Sequence, residues 1–217
     1  ESYDTTTIRA STPQYILCKN IKEMTDIKVL LSGEGSDELH GSYRYFRDAP
    51  DKEEFETESN RLLDELYMFD NLRTDRTAAS HGLEVRVPFL DFEYVNFIKS
   101  LDYSLLMNNK KVIEKKLLRD SFLGYLPEEI LYRSKEAFSD AVSNSTEIWA
   151  KLLQKEANTE DNIGKYKINQ PLTKEADMYR KIFNEFYFQD DVIKHYWMPR
   201  FQKKEITDPS ATILDSY

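Results

Sequence analysis

The chain has 217 residues, of which 40% are hydrophobic and 32% charged, with a formal net charge of −9. That length supports one domain with a real core, and that balance is globular rather than disordered. The acidic excess excludes nucleic acid as the main partner, because phosphate binding needs a clustered cationic surface, and no apolar run approaches the roughly 20 residues of a membrane span.

Residues 1–8 already read as the interior of a domain, without the basic-then-apolar start of a signal peptide, so the chain is expected to be a fragment. Ser11-Thr-Pro-Gln14 has the form of a capping box with Pro13 in a first turn. Ile16, Leu17, Cys18, Ile21 and Met24 follow it at helical spacing. Cys18 is the single cysteine, which excludes an intramolecular disulfide framework and suits a reducing cytoplasm; on that apolar stripe it reads as a core residue. Residues 27–31 are short, apolar and partly β-branched, the pattern of a parallel strand buried on both faces. Helix, strand and glycine-rich turn together are half of an α/β repeat.

From residue 51 the pattern turns helical. Phe55, Leu62, Leu66 and Phe69 form one stripe of a long helix, which Asp70, Arg73 and Arg76 would end. Residues 83–87 alternate like a strand, carrying Glu84 and Arg86. Asp91 caps a helix with Val95, Ile98 and Leu101 inward. A further helix is expected over 112–122, with Ile113, Leu117 and Leu118 inward, and a short turn over 127–131. Residues 133–145 read as loop and 156–170 as a polar stretch. Thr173 starts an aromatic-rich helix, 192–197 form a last one, and the tail from 203 lacks periodicity. The expected fold class is α/β leading into mostly α, divided as residues 1–50, 51–200 and an irregular 201–217.

The strongest local signal is Ser32-Gly33-Glu34-Gly35-Ser36-Asp37-Glu38, directly after the predicted strand. Two glycines allow a sharp turn and close backbone approach to a ligand, at the strand edge where open α/β sheets bind ligands. Three acids in five residues repel one another unless a divalent cation or a cationic side chain faces them. The bland alternative is an acidic helix N-terminus complementing the dipole.

Leu31-Ser-Gly-Glu-Gly-Ser-Asp-Glu-Leu39 resembles the second signature of the asparagine synthetase family. Four other stretches resemble it in the same order: Asp4-Thr-Thr-Thr-Ile-Arg-Ala-Ser-Thr-Pro13, His81-Gly-Leu-Glu-Val-Arg-Val-Pro-Phe-Leu-Asp91, Ile113-Glu-Lys115 with Leu117-Leu-Arg119, and Tyr132-Arg-Ser-Lys-Glu-Ala-Phe-Ser-Asp140. His195-Tyr-Trp-Met-Pro199 and Thr207-Asp-Pro-Ser-Ala211 match as well, closest to eukaryote-like members. The resemblance covers essentially the whole chain.

It implies the end of a parallel-sheet, adenine-nucleotide α-hydrolase-like (ATP-pyrophosphatase) domain followed by a helical subdomain. It also implies a cytoplasmic ligase of asparagine biosynthesis that uses aspartate, ATP and Mg²⁺. Aspartate would attack the α-phosphate, giving β-aspartyl-AMP, and ammonia made from glutamine by an N-terminal glutaminase domain would displace AMP. By the same resemblance Ser32, Gly33, Gly35 and Ser36 contact nucleotide, Asp37 and Glu38 hold metal, and Glu34 serves the adenylate step and receives a proton from ammonia. Lys135 stabilises charge at phosphorus, Arg9 reaches phosphate, and the region of Asp70 and Arg73 handles aspartate. Glu84 and Arg86 either face the cleft or form a buried ion pair. An ion pair is the alternative for Arg9, and a helical pair the alternative for Asp70 with Arg73. His40, His81 and His195 are too far apart for a local zinc motif and read as structural.

The Ser-Gly-Gly-x-Asp-Ser pyrophosphate loop and the glutaminase domain do not occur within the 217 residues, so the isolated piece is expected to be inactive. His40, Ser42 and Ala141 depart from the family pattern. The alternatives are a β-lactam-type adenylating synthetase, which Glu34 argues against, and a helical fragment without catalysis. A homodimer is left open.

Overall fold

The computed structural model describes residues 1–108, 111–136, 138–143, 148–158, 162–202 and 205–209. Helix α1 (Thr5–Met24) starts at Asp4, whose carboxylate accepts bonds from the Thr7 amide and hydroxyl, each at 2.8 Å. The expected start at Ser11 is therefore corrected, and Pro13 lies inside the helix. A proline there has no N–H for the carbonyl four residues back. That carbonyl, of Arg9, instead accepts the Trp149 indole N–H at 2.9 Å. A partner distant in sequence replaces the lost helical bond.

Strand β1 (Val29–Leu31) follows, then α2 (Ser36–Leu39), α3 (Lys52–Glu65), α4 (Asp70–Ala79) and β2 (Glu84–Arg86). The two strands pair in parallel with Val29 opposite Glu84 and Leu31 opposite Arg86. They make a two-stranded sheet among the described residues. Burial of β1 on both faces does not hold: Leu31 is 76% exposed. Successive strand side chains point to opposite faces. Leu30 and Val85 turn inward to pack against Cys18, Ala78 and Leu83, while Leu31 turns away.

The expected long helix also divides. A 3₁₀ turn at Leu66–Met68 ends α3, and Phe69 takes a non-helical φ of −125° and ψ of −96°. Asp70, Arg73 and Arg76 thus belong to a second helix, with Asp70 in its first turn. Helix α5 (Phe92–Lys99) is capped by the Asp91 carboxylate, as expected. Helix α6 (Lys116–Ser121) is shorter than the expected 112–122, because Lys115 before it has a φ of +57°. There Glu114 is buried, while Leu117 is exposed.

Next come α7 (Glu128–Leu131), α8 (Phe138–Ala141), α9 (Trp149–Ala157) and α10 (Lys174–Phe186). Helix α8 lies within the stretch expected to be loop, and residues 192–197 are not a helix but bends over 192–195 followed by irregular backbone. Residues 137, 144 and 145 of that loop, 159–161 of the polar stretch, and 203, 204 and 210–217 of the tail lie outside the described residues. No helix among the described residues is long and apolar enough to cross a membrane.

One core joins Leu39, Tyr45 and Phe46 to Phe55, Leu62, Met68, Phe69, Ile98 and Trp197, so it crosses the expected division at residue 50. The turn after α2 makes this possible. Gly41 has a φ of +54°, and a Cβ there would lie 2.1 Å from Phe55 Cζ. Gly41→Ala combines overpacking with a left-handed backbone and should destabilise the chain by about 2–4 kcal/mol, read as a lower urea midpoint at an unchanged m-value.

Candidate active site

The edge after β1 carries the acidic turn. Gly33 has open space where a Cβ would stand, leaving its backbone accessible. Gly35, at a φ of +84°, precedes α2, and a Cβ there would collide with Leu90 at 2.2 Å. This turn forms one wall of a cavity of about 840 Å³ whose lining includes Ser32, Gly33, Glu34, Asp37, Lys115 and Lys135. The opposite wall, from Leu17, Ile21, Leu30 and Val85, is apolar.

Asp37 sits between two lysines. Lys115 Nζ lies 2.8 Å from one carboxylate oxygen and Lys135 Nζ 3.8 Å from the other. The Ser42 hydroxyl also donates to Asp37. Loss of solvent pushes this carboxyl up, but the Lys135 and Lys115 ammonium groups outweigh it and hold the group well below the usual range. The Lys135 side chain also lies over the Tyr43 ring, with Nζ 4.6 Å from the ring centroid.

Glu34 has different partners. Arg73 reaches its two oxygens at 3.1 and 3.2 Å, and Thr74 donates at 2.8 Å. The same guanidinium holds Asp70 at 2.7 Å and Gln14 at 2.9 Å. Burial pushes the Glu34 carboxyl up, aided by Asp70 and Asp37 and opposed by Arg73 and Thr74. Asp70, Arg73 and Glu34 therefore form one cluster along the cavity wall, with Asp70 and Arg73 also making the helical pair.

Other expected site residues are placed elsewhere. Glu38 is 2% exposed, takes a hydrogen bond from the Tyr43 hydroxyl and does not line the cavity. Burial, with the charges of Asp70 and Asp37, pushes its carboxyl up to about 8. Ser36 is buried, and neither it nor Gly35 lines the cavity. Glu84 and Arg86 pair at 2.7 Å on the exposed face of β2, while Val85 between them faces the cavity. The period-2 alternation puts both charges outside.

Arg9 lines the cavity with its guanidinium already engaged. Its donors meet Glu175 at 2.6 and 2.8 Å and Asp208 at 2.7 and 2.9 Å. In this structure Arg9 has the ion-pair geometry. His40 is buried against Tyr94, with burial lowering its ring pKa, and His195 faces Glu65.

Sequence reasoning missed Lys115, Thr74, Gln14 and Tyr43. Lys115 lies inside the matched Ile113-Glu-Lys115 stretch, so the motif itself was the available signal. Tyr43 carried none, because its approach to Lys135 exists only in three dimensions.

Two consequences are measurable. Replacing Arg9 with Met leaves the buried Glu175 without its cation and should cost about 3–5 kcal/mol in urea unfolding. Glu38 binds its proton more tightly folded than unfolded, so between the ordinary glutamate pKa and about 8 the unfolded chain holds fewer protons and stability falls as pH rises. Glu38→Gln, without added divalent cation, should remove a slope of up to about 1.4 kcal/mol per pH unit in that window. Parallel pH curves for the two proteins would overturn the assignment of a protonated Glu38.

The family profile described as Asparagine synthase matches residues 1–65 and 48–205. The chain is 60% identical over 220 residues to a probable glutamine-hydrolyzing asparagine synthetase of Acanthamoeba polyphaga mimivirus, covering 99% of this chain and 40% of that protein. It is 48% identical over 227 residues to the glutamine-hydrolyzing asparagine synthetase of Gallus gallus and 46% identical to that of Homo sapiens, covering all of this chain and 40% of each relative. It thus spans about 40% of the length of these curated relatives. With the glycine turn, its carboxylates and the two lysines gathered on one cavity, the chain belongs to the asparagine synthase family.

Proposed function

We propose that this chain is the amide-forming part of an ATP-dependent enzyme that converts aspartate to asparagine through β-aspartyl-AMP. The ammonia would come from glutamine in a further domain of the same protein. The observation that carries this reading is the approach of Lys135 to within 3.8 Å of Asp37 on the cavity that also exposes Glu34. On the same reading the parallel pair β1–β2 and its glycine turn are the end of an ATP-pyrophosphatase-like sheet.

Each residue has a physical task. Ser32 and Gly33 offer a backbone edge that a nucleotide can approach closely. Lys135 and Lys115 supply positive charge where negative charge grows on phosphorus, in a site partly shielded from water. Arg73 and Thr74 hold Glu34 in orientation, with Asp70 holding Arg73 in turn, and its raised pKa suits it to receive the proton that ammonia sheds on becoming an amide. Arg73 faces three acceptors at once, and an incoming aspartate carboxylate would compete for it.

A magnesium ion fits Asp37, which is ionised and lines the cavity, in keeping with a hard cation bound by one or two carboxylates plus phosphate oxygens. Glu38 does not fit, being buried away from the cavity and turned to Tyr43. When bound, the ion would supply charge neutralisation on the phosphate oxygens.

Aspartate-dependent ATP–pyrophosphate exchange in the full-length protein tests this reading. Lys135→Met should lower exchange by about 10²–10³ with the fold intact by circular dichroism. Undiminished exchange in that variant would sink the assignment.

A further inference from the structure

Lys135 lies in residues 132–136, where the backbone has no regular structure. Its stem is flexible, and such a side chain holds one geometry only if its surroundings restrict it. Asp37 alone does not restrict it. The 3.8 Å separation is too long for a hydrogen bond, and Lys115 occupies the other carboxylate oxygen at 2.8 Å. Among the described residues the ammonium also meets the ring of Tyr43, 4.6 Å away, well inside the range at which an aromatic face attracts a cation.

That ring is itself tightly held. Its hydroxyl donates to the buried Glu38, one face stacks on Tyr45 at 6.1 Å and 11°, and Trp197 packs against it at 5.8 Å and 61°. Its two neighbours in sequence reach the same charge pair. Ser42 donates to the Asp37 carboxylate, and Arg44 Nη2 donates to the Lys135 carbonyl at 3.2 Å. Three consecutive residues thus touch Asp37, the Lys135 ammonium and the Lys135 backbone.

We propose that Tyr43 is a positioning residue whose ring face seats the Lys135 ammonium beside Asp37, while Ser42 and Arg44 hold the two partners from either side. The seat is the aromatic face; the hydroxyl only anchors the ring to Glu38. The consequence for rate rests on the adenylation reading above, but the seat itself does not.

The test reads both. In the full-length protein, reductive ¹³C-methylation keeps the lysine charge and reports each methylamine by NMR, with Lys135→Arg identifying the Lys135 signal. The wild-type signal should be displaced upfield by the Tyr43 ring current. The displacement should persist in Tyr43→Phe and vanish in Tyr43→Leu. Aspartate-dependent ATP–pyrophosphate exchange should stay within about twofold in Tyr43→Phe and fall about tenfold in Tyr43→Leu, with the KM for ATP little changed. A wild-type Lys135 signal at the ordinary lysine position overturns the seat, even if neither Tyr43 variant folds. Full exchange in Tyr43→Leu overturns the positioning role of Tyr43 in the reaction. A displaced signal in a wild-type protein that exchanges no pyrophosphate would overturn the adenylation reading and leave the seat standing.

Discussion

The Asp37 carboxylate carries a lysine on each of its oxygens, and the arrangement of the cavity depends on that contact. A carboxylate stripped of water is costly unless cations and hydrogen bonds replace the solvent. Lys115, Lys135 and Ser42 replace it here from three separate segments. Each segment is otherwise irregular: Lys115 precedes a short helix with a positive φ, and Lys135 follows one without regular backbone. The charge pair therefore does more than mark a site. It ties two loops to the one turn that the strand pair and α2 hold in place.

The acids of that turn have three different fates within five residues. Glu34 faces the cavity under Arg73, Asp37 is ionised between lysines, and Glu38 is buried and protonated against Tyr43. Alternation along a tight turn and the first turn of a helix separates them. Mutual repulsion, which would be severe for three free carboxylates, is relieved by one cation cluster on each side and one retained proton. Tyr43 links the sets, its hydroxyl on the neutral acid and its ring under the cation of the ionised one.

Beyond the cavity, α1 is held by contacts from the far end of the chain. The Arg9 guanidinium meets Glu175 and Asp208, its carbonyl takes the Trp149 indole, and the Asp4 cap also accepts the Trp197 amide at 2.8 Å. An interior proline and a buried arginine on one helix are tolerable only because those partners arrive. This explains why residues 205–209, without periodicity of their own, are nevertheless placed against the helix that lines the cavity.

Much was legible in order and spacing. The strand and its glycine turn, the Asp91 and Thr173 caps, and the matched motifs carrying Glu34, Asp37 and Lys135 are local patterns, because backbone propensity and capping act over a few residues. The start of α1 lies at the local Asp4–Thr7 cap rather than at the Ser11 capping pattern, and Trp149 lets the helix continue through Pro13. The break at Phe69 depends on packing from elsewhere in the chain. The fates of Glu38, Arg9, Glu84 and Arg86 likewise turned on burial and on partners distant in sequence. What the sequence determined by itself was the set of chemical groups and their order. Only the tertiary structure decided which acid keeps its proton, which arginine is already paired and which ring lies under Lys135, because desolvation and charge depend on distance in space and not on position along the chain.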